Sequence, residues 1–402
     1  MGLGAVALYA ATNGALAKAQ DIRPFRIQVG DDALSDLAIR LRKTRWIDAL
    51  KDAEWAYGAD LRFMRDLVAY WRDRFDWRAE EERLNAFPQF IADVEGHDIH
   101  FIHVKGNGPD PLPLLLTHGW PSSVAEFAKI IPLLTDPAAH GGRAEDAFDI
   151  VAPSLPGYGF SARPAQSGMT SERITALLAA LMDMLGYRRF AAHGGDIGGG
   201  ITNRLGRRCS DRVVAIHSMQ PALVADRTAP DLSDAERAWL DLVDRWELDE
   251  GAYGHQQRTR PQTLAFGLND SPAGLAAWII EKWRAWSDCG GDVLSRFTVD
   301  ELLTNVSIYW FTQTIGSSMR LYYESAHCRE ADAKDRIEVP ARLFLTREAV
   351  ELCPPEYAAR GYADLSYGTA AKGGHFLAAE QPELLAEDIG EYFRRFRTPG
   401  VR

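Results

Sequence analysis

The stretch that most constrains this chain runs Arg189-Phe190-Ala191-Ala192-His193-Gly194-Gly195-Asp196-Ile197-Gly198-Gly199-Gly200. An apolar run ends at His193, a glycine-rich turn follows, and Ile201-Thr202-Asn203-Arg204-Leu205 reads as the start of a helix. Asp196 sits at the tip, with Gly194 two residues before it and Gly198 two after. Small–x–nucleophile–x–small is the spacing of a strand–elbow–helix turn, whose flanking positions have no room for a Cβ. Two plainer readings compete. The turn resembles a phosphate-cradling loop, but an anionic tip repels phosphate and no Lys follows the glycines. An Asp before a helix is also an ordinary N-cap, and this stretch alone leaves that open.

The rest of the chain supplies the setting an elbow needs. Residues 22–88 read as an amphipathic helical segment, with apolar residues at helical spacing in Asp32 to Leu41 and in Leu61 to Trp71. Arg78 to Arg83 reads as a solvated charged face. From Phe87 the period drops to two: Phe90 to Val94 and His97 to Val104 flank the turn Glu95-Gly96. Pro113 to Thr117, Phe148 to Ala152, the elbow strand and Val213 to His217 are short apolar strands separated by helical patterns, which predicts a parallel, doubly wound sheet. Residues 222–325 break the alternation with aromatic-rich helices, a candidate lid over the carboxyl ends of the strands. Ala341 to Thr346 and Tyr362 to Tyr367 resume the sheet, and a helix through Leu384, Leu385, Ile389 and Phe393 closes it. The division expected is therefore 1–21 extension, 22–88 meander, 89–221 first part of the core, 222–325 lid and 326–402 second part of the core.

Asp196, Glu348 and His375 each follow a strand end, in the nucleophile–acid–His order of α/β-hydrolases. Glu351 is the second candidate for the acid; Glu348 is preferred because it stands nearer the strand. The four cysteines are scattered without C-x-x-C spacing and suggest neither a metal site nor a disulfide framework. His97 and His103 share a strand face about 20 Å apart, too far for one metal. The net charge of −11, with no basic run, argues against a nucleic-acid partner. No run is long and apolar enough for a membrane span. Gly2 to Ala17 is small and apolar, and Ala17-Lys18-Ala19 resembles a cleavage site without a preceding positive region. The chain is expected to be soluble; cytoplasmic and periplasmic or exported locations, and a homodimer, stay open.

His118-Gly119-Trp120-Pro121, the Gly194 to Gly198 elbow and Gly373-Gly374-His375-Phe376 together resemble epoxide hydrolases of the microsomal type. Pro24 to Gln89, with Trp71-Arg72-Asp73 and Leu84 to Gln89, resembles their N-terminal meander, and Gly267 to Pro272 part of their lid. The resemblance implies an α/β-hydrolase core, a helical lid and an N-terminal segment wrapping both. It implies Glu348 as the acid and Tyr253 and Tyr322 as the two lid tyrosines that donate protons to the epoxide oxygen. Tyr323 points about 100° away from Tyr322 on a helix. The chain departs from the family in carrying Ile197, where Trp often follows the nucleophile.

An Asp nucleophile that attacks an sp³ carbon leaves an ester, which water can cleave; a Ser would leave an ether. The expected reaction is therefore hydrolysis of an apolar epoxide through an Asp196 ester, with His375, oriented by Glu348, as base on water. Backbone N–H groups of Trp120 and Ile197 are expected to form the oxyanion hole, and Trp120 and Phe160 to contact substrate. No cofactor or metal is implied; the partners are a small epoxide and water. Haloalkane dehalogenation with the same nucleophile is the first alternative. A non-enzymatic binding protein on the same fold is the second.

Overall fold

Strand side chains alternate between two faces, and the central strands here are apolar on both. Leu115, Val151 and Ala192 join one buried cluster, while Leu114, Leu116, Ile150, Ala152 and Ala191 join another on the opposite face. A sheet apolar on both sides must be covered on both sides, and that requirement organises the chain. The structure is a computed structural model that describes residues 22–222, 229–328 and 336–397. The stretch expected as an N-terminal extension or signal remnant lies outside the described residues.

The strands are β1 (Ile22–Phe25), β2 (Gln89–Val94), β3 (His97–Val104), β4 (Leu112–Thr117), β5 (Phe148–Pro153), β6 (Phe190–Gly194), β7 (Val213–Ser218), β8 (Ala341–Leu345) and β9 (Leu365–Thr369). They form one sheet in the order β1-β2-β3-β5-β4-β6-β7-β8-β9. β1, β2, β3 and β5 pair antiparallel in succession, and every pairing from β5 through β9 is parallel. Glu95 and Gly96 join β2 to β3 with φ of 52° and 81°, as a two-residue hairpin turn requires. From β4 the chain steps one way to β5, then returns past β4 to β6 and continues the other way. The loops after β4 and β6 therefore diverge, opening the crevice where doubly wound sheets bind ligands.

Helices Ser171–Met184 and Asp196–Arg208 pack together on one face, Ile130–Thr135 and Pro382–Arg394 on the other. Six helices between Asp234 and His327 form an added layer. Two of their side chains bind the chain leaving β4: Asn305 Nδ2 donates to the Pro121 carbonyl at 2.8 Å and Tyr309 Oη to the Ser122 carbonyl at 2.7 Å. Among the described residues no helix is long and apolar enough to cross a membrane.

The N-terminal segment departs from its helical reading twice. Ile22–Phe25 is a strand at the sheet edge, where Pro24 is tolerated because edge N–H groups need no partner. Within the charged run, Glu81 is buried rather than solvated: it accepts from Val29 N at 2.6 Å, Arg78 Nη1 at 2.7 Å and Trp77 Nε1 at 3.2 Å. It pins the strand-to-helix connection to the helix Trp77–Asn85. Helix Leu61–Asp73 behaves as its pattern predicts, burying Met64, Leu67, Val68 and Trp71 on one stripe.

Candidate active site

Asp196 opens helix Asp196–Arg208 at φ 51°, left-handed backbone that non-glycine residues seldom adopt. Such strain costs on the order of 1–3 kcal/mol and persists only where the surroundings enforce it. They do so here by crowding. A Cβ on Gly198 would run into the Thr117 carbonyl, and one on Gly119 into the Asp196 carboxylate. The turn after β4 thus lies directly against the elbow after β6.

That contact orders the carboxylate. Trp120 N donates to Asp196 Oδ1 at 2.9 Å. Asp196 Oδ2 faces His375 Nε2 at 3.7 Å. One carboxylate oxygen thus takes a backbone donor, and the other is turned toward the imidazole. Ile197 follows in the first helical turn, its side chain partly buried against the main core.

His375 rides on the loop after β9. Its own N donates to the Trp286 carbonyl at 2.8 Å. The loop is further tied by the Glu380 carboxylate, which accepts from Asp288 N at 2.9 Å, Gly374 N at 3.0 Å and Phe376 N at 3.1 Å. No sequence signal marked Glu380; a Glu five residues past a loop His reads as helix surface.

The acid beside His375 is Glu351, not the expected Glu348. Glu351 Oε1 meets His375 Nδ1 at 2.5 Å, and Thr346 Oγ1 donates to Glu351 Oε2 at 2.5 Å. The cause is a turn. Glu351 N and Leu352 N both donate to the Glu348 carbonyl at 2.9 Å, so the chain folds back after β8 and the later carboxylate swings under the imidazole. Glu348 is half-buried on the wall of the adjacent pocket.

The charges reinforce one another. Burial alone would lower the His375 pKa, but the Glu351 carboxylate and, more weakly, Asp196 and Glu126 push it up to about 9. Burial pushes Glu351 up, and the charge and hydrogen bond of His375 more than reverse it, holding the carboxyl below its usual range. Burial, the neighbouring Glu351 and Asp288 raise Glu348, against a smaller pull from His375.

Tyr253 and Tyr322 meet over this group, their rings 6.1 Å apart and nearly perpendicular. The Trp120 ring stacks on Tyr253 at 5.2 Å and meets Tyr322 edge-on at 6.1 Å. Burial, with the Asp196 charge second for Tyr253, raises the phenol pKa, so its proton stays on; Tyr322 is raised by burial, then by Tyr253 and Asp196. Tyr323 is exposed and stacks on His327.

Neither of the two residues expected to contact substrate, Trp120 and Phe160, is part of the wall of the cavity beside Asp196. Phe160 packs 5.6 Å from the Phe25 ring and 5.2 Å from the His100 ring, in the cluster that seats the N-terminal segment. The Trp120 ring is buried among Tyr253, Trp278, Trp286 and Tyr322, so it braces the tyrosines rather than lining the cavity. The cavity itself holds about 270 Å³ beside Asp196, Tyr253 and His375, walled by Trp239, Val243, Trp246 and Trp286.

His118 is fully buried and kept neutral by burial, its pKa lowered to about 4. Its Nδ1 donates to the Gly119 carbonyl at 3.0 Å and its Nε2 accepts from Leu155 N at 3.2 Å, fixing the turn that carries Trp120. Among the described residues no group of His, Cys, Asp and Glu could hold a metal.

Residues 22–127 match the epoxide hydrolase N-terminus family and residues 113–266 the alpha/beta hydrolase fold family. Epoxide hydrolase 1 of Sus scrofa is 37 % identical over 411 residues, covering 94 % of this chain and 90 % of that one. The crystal structure of juvenile hormone epoxide hydrolase from the silkworm Bombyx mori superposes with a TM-score of 0.86 at 31 % identity, covering 94 % of this chain and 96 % of that one. Aspergillus niger epoxide hydrolase superposes with a TM-score of 0.81 at 29 % identity, covering 93 % and 96 %. With its elbow aspartate, its imidazole–carboxylate pair and its overlying tyrosines on that fold, the chain belongs to the epoxide hydrolase family.

Proposed function

We propose that this chain hydrolyses apolar epoxides to vicinal diols through a covalent ester on Asp196. The observation that carries the reading is the division of labour within one carboxylate. Oδ1 is held by the Trp120 N–H, and Oδ2 faces His375 Nε2 at 3.7 Å, beside a cavity that Tyr253 also lines. Oδ2 attacks an epoxide carbon, the C–O bond of the ring breaks, and a tyrosine hydroxyl gives its proton to the leaving oxygen. Oδ1 becomes the ester carbonyl oxygen. Water then attacks the carbonyl carbon and gives a proton to His375 Nε2. The charge that builds on Oδ1 is met by Trp120 N–H, with Ile197 N–H as the second donor. Removing one such donor typically costs about 10²–10³ in rate. Collapse expels the diol with Oδ2, and the surplus proton returns to the tyrosinate. The tryptophan-lined cavity favours apolar substrates, and the helical layer between Asp234 and His327 serves as the lid.

Glu351→Gln and Glu348→Gln separate the two candidate acids. Glu351→Gln leaves His375 without the carboxylate that orients it and stabilises its protonated form. The hydrolytic step is expected to slow by about 10²–10⁴, the range for losing effective general-base catalysis. Glu348→Gln is expected to stay within threefold of the parent (~0.6 kcal/mol in barrier terms). Single-turnover decay of the ester in each variant is the measurement; equal losses would reject the assignment of Glu351.

The pH dependence follows from the charge on Asp196. In the free enzyme Asp196 helps hold His375 up near 9. Ester formation removes that negative charge, so the imidazole pKa falls and His375 becomes an available base. Ester decay is therefore expected to rise with pH along a limb centred below 9, and that limb moves to still lower pH in Glu351→Gln. A limb unmoved by that substitution would show that it does not report on His375. Steady hydration of styrene oxide, with no halide released from chloroalkanes, is the result expected of the activity itself.

A further inference from the structure

Two cavities meet at Asp196 and His375 from different sides. The larger, walled by Trp246, Trp286 and Tyr253, is the substrate side already described. The second lies behind the pair, enclosed by His118, Gly119, Ser122, Glu126, His193 and Met219. It offers about 10 Å³ to the centre of a water-sized sphere, room for one water molecule. Glu126 is on the short helical turn Val124–Ala128, which leaves the Trp120 loop. Among the described residues it forms no ion pair with Lys or Arg; Lys129, on the same turn's edge, is paired with Glu301 at 2.5 Å. Glu126 also borders a third cavity, of about 30 Å³, whose other walls include Asn305, Trp283, Lys129 and Glu301. That cavity runs toward the exposed side chains of Arg83 and Lys129. Glu126 is thus the residue shared by a cavity bordered by the exposed Arg83 and Lys129 side chains and a one-water chamber touching Asp196 and His375.

We propose that Glu126 is the water-positioning residue of this enzyme, receiving water through the passage beside Asn305 and holding one molecule against His375 and the carbonyl carbon of the Asp196 ester. The inference rests on the covalent-ester reading above. Substrate fills the aromatic side of the site, so the nucleophile of the second step needs a route the bound alkyl group does not block. A carboxylate at the far wall accepts one water O–H, leaves the other for His375 Nε2, and directs a lone pair at the carbonyl carbon. The proton goes to His375, the oxygen to carbon, and the alkoxide leaves; Glu126 itself makes and breaks no covalent bond. Burial raises the Glu126 carboxyl, while Ser122 and His375 lower it, leaving it at about 7.

The test is single-turnover kinetics of Glu126→Gln and Glu126→Leu with styrene oxide, following Asp196 alkylation and ester decay separately. Alkylation is expected within twofold of the parent in both. Ester decay is expected to fall about tenfold in Glu126→Gln, which keeps a weaker acceptor, and about a hundredfold in Glu126→Leu, so the adduct accumulates (~1.4 and ~2.7 kcal/mol by the usual conversion). Glu126→Asp is expected to recover part of the decay rate. If Glu126→Leu fails to fold, the isosteric Glu126→Gln carries the test alone. Parental ester decay in Glu126→Gln, or alkylation falling by the same factor as decay, would overturn the proposal. If the parent enzyme forms no Asp196 adduct at all, it is the covalent mechanism that fails.

Discussion

His375→Gln is expected to alkylate once and stop. Multiple-turnover diol formation should fall by about 10²–10⁴, while one equivalent of epoxide still attaches to Asp196. The asymmetry comes from what each step requires. Attack by Asp196 Oδ2 needs an ionised carboxylate and a proton for the leaving oxygen, and neither is supplied by the imidazole. Trp120 N–H holds Oδ1 whatever occupies position 375. Decay of the ester needs a base, and His375 Nε2 is the nitrogen facing Asp196, while Nδ1 is committed to Glu351. Gln fits the space and offers no base. Intact-protein mass spectrometry after exposure to styrene oxide should show near-complete adduct, and steady diol release from this variant would remove His375 from its role.

Replacing both Tyr253 and Tyr322 by Phe should act on the opposite step. Each phenol keeps its proton because burial penalises the phenolate, so either can donate to the opening epoxide. A single Phe substitution leaves one donor, and the loss should be modest. The double substitution leaves an alkoxide unprotonated in an aromatic cage, and alkylation should slow by on the order of 10²–10⁴. Phe keeps the ring contacts with Trp120 and Trp286, so the cavity keeps its shape. Trp286 lies 5.0 Å from the Tyr253 ring and 5.2 Å from the His375 ring, which makes its fluorescence a natural reporter of adduct formation. Alkylation at parental speed in the double variant would mean another group gives the proton.

What could be read from the chain alone divides along a physical line. Patterns that repeat locally were legible: the apolar strands, the Glu95-Gly96 hairpin, the helix stripe from Met64 to Trp71, and the small residues around Asp196. Each expresses a period or a steric demand written within a few residues. What failed depended on how the chain returns on itself. Glu348 is closer to its strand than Glu351 and would be the acid if the chain ran straight; two hydrogen bonds to the Glu348 carbonyl turn it back. Phe160 follows a strand end as a pocket residue would, yet its ring is claimed by Phe25 from the N-terminal segment. Ile22–Phe25 is too short and too mixed to show a period, and becomes a strand only because β2 offers an edge. Glu81 and Glu380 look like surface acids until three donors converge on each from distant or turning backbone and side chains.

Only the family resemblance singles out Tyr253 and Tyr322, since nothing in their immediate sequence distinguishes them from other tyrosines. Geometry adds the reason: two helices of the added layer bring both rings onto Trp120, whose N–H donates to the Asp196 carboxylate. In the proposed mechanism one residue thereby ties oxyanion stabilisation to the placement of the proton donors.

The most direct measurement is a single turnover in ¹⁸O-water with enzyme in excess over styrene oxide, followed by mass spectrometry of the diol and of the peptide carrying Asp196. The mechanism predicts unlabelled diol and label in the Asp196 carboxylate, because water attacks the ester carbonyl and the diol departs with Oδ2. Labelled diol with an unlabelled peptide would mean that water opens the epoxide directly, and the ester on Asp196 would have to be abandoned.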